Sequence, residues 1–272
     1  MFSIDYRDRA SVLVWVTLIG LAAQQLLTLP ARAFTTTVFG SPVTITLTTN
    51  TVLGLLLAGL VATGAEAVVR AHPRSLVGEL RSHWVYWAMT VALISVALLI
   101  LPVAPSRLYW LVGLIITGIL LGLSLTGLYY TIDPFAARYR RARLGLNALT
   151  YVAALLLFLV VYRTRMRSII SATEVMLVSS LLALELLRGS ERPTRLIGLY
   201  AGIAGLVLGQ ATWALNYWRL DSLTGGLVLL LLFYNIVGLS QNALQGRIRR
   251  RVVVEYGLIS IAALALMWEF AP

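Results

Sequence analysis

Apolar residues in this chain neither alternate nor recur at a single helical spacing; they run on. Nine stretches, 11–29, 51–69, 84–103, 108–132, 144–161, 169–187, 196–217, 223–241 and 252–270, come close to the requirement for a spanning helix. That requirement is about 20 mostly apolar residues. Polar residues and arginines are confined to the short gaps. The pattern predicts an all-α integral membrane protein, a nine-transmembrane-helix bundle forming a single polytopic domain over residues 1–272. Residues 1–9 carry charges of both signs, and Pro30 follows the first stretch where a small-residue cleavage site would be needed. The first stretch therefore reads as a retained span, not a signal peptide.

The longest gap, 30–50, has another pattern. Residues 34–47 read FTTTVFGSPVTITL, two β-branched runs around Gly40-Ser41. Val43, Ile45 and Leu47 alternate with Thr44 and Thr46, as in a two-faced strand. Gly followed by a polar residue suits a two-residue hairpin turn. The expectation is a short extracytoplasmic β-hairpin between helices 1 and 2, with 36–39 pairing with 42–45 across Gly40-Ser41.

Charge sets orientation. With the N-terminus inside, inner segments hold 16 arginines and outer segments 6. Short cytoplasmic loops are enriched in basic residues, so this bias puts the N-terminus in the cytoplasm and the C-terminus outside, in a bacterial inner membrane. The exception is the outer loop with Arg163, Arg165 and Arg167. On the inner side, Asp133-Pro134 reads as an N-cap with proline at the first helical position. Residues 133–143 are thus expected to form a basic interfacial segment, with Arg138, Arg140, Arg141 and Arg143 on anionic lipid headgroups.

Composition supports the membrane reading and narrows the chemistry. Hydrophobic residues are 59% and charged residues 12%, against about 25% charged in soluble domains. The net charge of +11 would suit nucleic acid, but the arginines lie at span ends, so no nucleic-acid partner is expected. All 22 basic residues are arginine, which excludes a lysine Schiff base. Cysteine is absent, so thiolate chemistry and cysteine metal sites are excluded. His72 and His83 are too few for a histidine metal centre, and His83 in Ser-His-Trp is weak support for a pigment or haem ligand. No cofactor is expected.

Small residues mark helix seams. Gly198, Gly202, Gly205 and Gly209 share a face of the seventh span, and Gly118 and Gly122 are four apart in the fourth. Such faces allow close backbone approach, so the seventh span is expected to be central and tightly packed.

Intramembrane carboxylates are functional candidates by default. Glu66, Glu185 and Glu255 have Arg70, Arg188 and Arg251 one turn away and read as local ion pairs. Glu174 has no arginine at that spacing. Gln24, Gln25, Gln210, Trp213 and Asn216 fall at a similar depth, so these six residues form the candidate ligand-binding set. The alternative to a ligand pocket is a cross-helix partner for Glu174, with Arg163, Arg165 and Gln210 as candidates. No catalytic residue and no metal site is assigned. The run 223–256 resembles bacterial polytopic membrane proteins, which implies a bundle and no mechanism.

The leading expectation is a non-catalytic membrane protein, a scaffold or accessory subunit of a larger assembly with a membrane-protein partner. The alternative is a small-molecule or lipid transporter with an outward pocket around Glu174. A lipid-modifying enzyme comes third, because it would need convergent acids or a metal.

Overall fold

A computed structural model describes residues 5–25, 27, 30, 32–38, 41–76, 84–164, 168–190, 192–218 and 221–269. The elements are α1 (Tyr6–Ala23), β1 (Arg32–Val38), β2 (Ser41–Leu47), α2 (Thr49–Arg70), α3 (Pro73–Leu76), α4 (Trp87–Ile100), α5 (Arg107–Tyr130), α6 (Tyr139–Thr164), α7 (Ser168–Leu187), α8 (Thr194–Asn216), α9 (Ser222–Leu244) and α10 (Arg250–Glu269). Short 3-10 turns, Trp84–Tyr86 and Leu101–Val103, extend α4 at both ends.

Helix starts follow their capping chemistry. The Thr48, Ser106 and Asp221 side chains accept from the backbone N–H of Thr51, Tyr109 and Leu223. Each satisfies one of the orphan donors of a first turn.

Among the described residues, six helices are long and apolar enough to cross a membrane: Thr49–Arg70, Trp84–Val103, Arg107–Tyr130, Tyr139–Arg163, Thr194–Asn216 and Ser222–Leu244. This is fewer than the nine expected from the apolar pattern. α1, one of the helices outside the six, has Arg7, Asp8 and Arg9 within its 18 residues. The exposed faces of these helices are themselves apolar, with Leu55, Leu108, Ile115, Leu199 and Ile203 outward. An apolar exterior of this kind fits a multi-pass membrane protein.

Two apolar clusters meet at α4. One joins α1, α2, α4 and α5 through Leu13, Leu21, Val61, Ile94, Leu121 and Leu125. The other joins α4 with α6, α7, α8 and α9 through Met89, Leu157, Phe158, Leu182, Leu208 and Phe233. The central helix is therefore α4, whose spanning window is 61% buried, and not α8, at 39%. α8 packs closely against α7 through one face only. A Cβ on Gly205 would overlap Ser180 and the Met176 carbonyl, and one on Gly209 would press on Ala172 and Met176. Gly202, expected in the same seam, is exposed and has no atom within 4 Å of a Cβ. At 3.6 residues per turn the three glycines stay within about 60° of one another around the helix, so the spacing does not itself decide which of them meet α7.

β1 and β2 pair antiparallel, with Thr35 opposite Thr44, Thr36 opposite Val43 and Val38 opposite Ser41. The register differs from the expected one: Ser41 is a strand residue, and the connection is 39–40, which lies outside the described residues. The partner of Thr36 moves by two, from Ile45 to Val43.

The 133–143 segment also departs from expectation. Asp133 accepts from the Phe135 N–H at 2.9 Å and pairs with Arg74 at 3.1 Å. The carboxylate closes a local turn and a cross-loop ion pair, and the chain turns on through 138 before α6 begins at Tyr139.

Candidate functional site

The arginine-bearing ends of the helices gather at one end of the bundle. Arg9 of α1 donates to the Ala67 carbonyl of α2 at 3.0 Å. Tyr6 of α1 stacks on Tyr129 of α5. His72 lies edge-on to Tyr129, with ring centroids 4.9 Å apart. The Arg192 Nε donates to the Leu244 carbonyl at 2.6 Å. Neighbouring helices thus run antiparallel, and segments read as inner from the arginine pattern meet.

At the centre of this end is a buried ionic cluster. Glu185 is fully buried. Its carboxylate accepts from Arg143 Nη1 at 3.1 Å, from Arg188 Nη2 at 2.7 Å and from Arg188 Nε at 3.1 Å. The Arg188 contact is the bidentate arrangement that makes charge-assisted bonds strong. Arg188 also donates to Thr131 at 3.1 Å, and its guanidinium lies 4.4 Å from the Tyr86 ring centroid. Arg143 Nη2 donates to the carbonyls of Glu185 and Leu186 at 2.8 and 2.7 Å. Those carbonyls belong to the last turn of α7, where acceptors lack helical partners and a cation is favoured. Gln241 of α9 adds a bond to the Leu186 carbonyl at 3.2 Å.

The cluster bolts α5, α6, α7 and α9 to the turn that opens α4. Two guanidiniums face one carboxylate, so it carries one net positive charge. Its groups are engaged with one another, which suits fixing helix positions better than proton transfer. The sequence pairs Glu185 with Arg188 correctly. It misplaces Arg143, which is largely buried in the cluster and does not face headgroups. Arg138, Arg140 and Arg141 are exposed. The local hint for Arg143 was its depth, two residues further into α6 than Arg141.

The other local pairs divide. Glu66 pairs with Arg70. Glu255 and Arg251 are both exposed, and among the described residues they form no ion pair.

The six candidate ligand residues are spread over the bundle. Glu174 is half-buried at the margin of α7, between buried Ser171, Val175 and Val178 and exposed Thr173 and Leu177. Asn216 of α8 donates to Ser171 at 3.2 Å, tying the same end of α7 to α8. Gln210 and Trp213 are exposed on α8. Gln24 and Gln25 follow α1, which packs against α2 and α5, whereas α7 packs against α4, α6, α8 and α9. Among the described residues Glu174 has no ion-pair partner; Arg163 is exposed, and Arg165 lies outside the described residues. His83 also lies outside them. Among the described residues no group of three or more His, Cys, Asp or Glu could hold a metal.

Residues 29–269 match the family described as Protein of unknown function (DUF5656). The chain belongs to this family. The match includes every residue of the ionic cluster and begins after α1. No curated protein and no solved structure matches the chain.

Proposed function

We propose that this family member is a non-catalytic polytopic membrane protein, a scaffold or accessory subunit of a larger membrane assembly. Nine spans are proposed, with α1, α7 and α10 crossing beside the six helices named above. The arginine-bearing end is proposed to face the cytoplasm, with Arg138, Arg140 and Arg141 on anionic headgroups and the β1–β2 hairpin outside.

Helix α10 carries the subunit reading. Its main packing is against α9. That contact is polar and close: Asn235 donates to Ser260 at 2.8 Å, and Tyr256 fills the space left by Gly238. Among the described side chains of α10, Val253, Val254, Leu258, Ile261 and Leu264 are exposed. In lipid, helices associate through close packing and interhelical hydrogen bonds, not through hydrophobic drive. A helix held by one neighbour has most of its packing surface available to another membrane protein.

A photo-crosslinking residue at Leu258 or Ile261 in native membranes tests this, with Leu55 of α2 as control. The expected result is one discrete protein adduct from α10 and none from Leu55. Lipid adducts alone at every position, with the purified protein monomeric, would overturn the subunit reading.

A further inference from the structure

We infer that the groove between α1 and α5 is a binding site for one anionic glycerophospholipid, its phosphate held between Arg7 and Arg138 and an acyl chain lying along the groove. The groove has a volume of about 770 Å³ and is walled by apolar side chains of the two helices, including Val14, Leu18, Ile115 and Ile119. Small residues, Gly122 among them, form part of its floor. It runs from Arg7 to Ala22, about 22 Å at 1.5 Å per residue. Half a hydrocarbon core is roughly 15 Å, so a chain entering at the Arg7 end is accommodated to the midplane and beyond.

The Arg7 end is built differently from the rest. Arg7 Nε donates to the Tyr6 hydroxyl at 3.3 Å, the Tyr6 and Tyr130 hydroxyls are 3.0 Å apart, and Arg138 donates to Tyr130 at 2.9 Å. Two guanidiniums thus flank one pair of tyrosine hydroxyls, within about a Debye length of each other. Neither is neutralised by a carboxylate among the described ion pairs. Asp133 is taken by Arg74. Asp8 lines a separate crevice on the α2 side of α1, with Arg9. Asp5 precedes α1, is exposed and acts on Tyr129, which stacks on Tyr6, without an ion pair to either arginine among the described residues. The pair repels until an anion sits between the two, and arginine offers a phosphate paired donors. Positive charge at one end and an apolar trough beyond it match a phosphate joined to an acyl chain.

Native mass spectrometry of the purified full chain with an equimolar mixture of phosphatidylglycerol and phosphatidylcholine of identical chains tests the site. The expected result is one retained phosphatidylglycerol in clear preference to phosphatidylcholine. Arg7→Gln or Arg138→Gln should each weaken that lipid about fivefold, as expected for one basic residue near a headgroup. Gly122→Phe should abolish retention of both lipids. A Cβ at Gly122 has only Val14 Cγ2 near it, at 3.9 Å, so the new side chain enters the groove without backbone overlap. Ile115→Trp fills the same groove from an exposed wall position and serves if Gly122→Phe does not fold. Equal retention of the two lipids, unchanged preference in both arginine variants, or full retention in a folded groove-filled variant would each overturn the assignment.

Discussion

Alanine at Gly205 should separate α7 from α8, and alanine at Gly202 should not. The two positions lie on the same helix and gain the same intrinsic helix propensity, at most about 1 kcal/mol. At Gly202 nothing opposes that gain, because no atom lies within 4 Å of a Cβ. At Gly205 the Cβ overlaps Ser180 Oγ and the Met176 carbonyl oxygen. Ser180 is already donating to that carbonyl at 2.7 Å. Rotating Ser180 away sacrifices a bond worth about 1 kcal/mol and leaves the carbonyl overlap in place. The helices must part, and a gap of about 0.5–1 Å forfeits a quarter to a half of each dispersion contact. The α7–α8 seam is the most extensively packed helix pair in the bundle. Overpacking costs of about 1–3 kcal/mol are the expected scale. At about 2–4 °C per kcal/mol for a chain of this size, 2 kcal/mol lowers the melting temperature by roughly 4–8 °C. Gly209→Ala should fall between the two, since its nearest atoms, the Ala172 carbonyl oxygen at 2.9 Å and Met176 Cβ at 3.0 Å, are approached less closely than those at Gly205 but include backbone that must shift. Thermal melting in one detergent, read by fluorescence-detected size exclusion, ranks the three variants. Coincident melting of Gly205→Ala and Gly202→Ala would refute the seam.

Glu185→Ala leaves Arg143 and Arg188 buried without their carboxylate, and breaking a buried pair costs about 3–5 kcal/mol; a denaturant titration in detergent should show this loss, and wild-type stability would discard the bolt. His72 tests pH dependence: burial and the Arg74 charge push its pKa below the usual value, outweighing the opposite pull of Asp133, and its Nδ1 accepts from the Arg74 N–H at 3.3 Å. Between the folded pKa and the ordinary value of about 6.5 the unfolded chain binds more protons, so stability falls as pH drops through 6.5 and levels below the folded pKa. His72→Gln should remove that part of the slope in melts between pH 7.5 and 5, and an unchanged slope would show that His72 does not titrate on unfolding. Single cysteines in this cysteine-free chain check orientation: residue 141 should resist, and residue 45 accept, an impermeant thiol reagent applied to intact cells, and the reverse pattern would invert the bundle.

The long helices of this protein are written in its sequence because membrane burial acts on each helix separately. A run of apolar residues meets its solvent alone, so 51–69 and 108–132 announce themselves without reference to any neighbour. Local ion pairs such as Glu66–Arg70 are equally visible, since one helical turn fixes the geometry. Glycine spacing indicates that α8 has a close seam, and the tertiary structure decides which glycines enter it: Gly205 and Gly209 do, and Gly202 does not. Likewise, the arginine pattern groups the ends that meet, but only the fold takes Arg143 out of the interfacial set and buries it against Glu185, 42 residues away. The candidate ligand set was chosen by depth along each helix. Depth follows from counting residues, whereas rotation about the axis and the identity of the neighbour do not, and those place α1, which Gln24 and Gln25 follow, beside α2 and α5 while Glu174 lies on α7. The centrality of α4 has the same origin. Its sequence, apolar all round and without a charged residue, suits burial on every side, but which helices surround it is decided only by packing. Burial inside lipid is a property of single segments and is legible one residue at a time; burial against another helix is a property of pairs and exists only once the helices have packed.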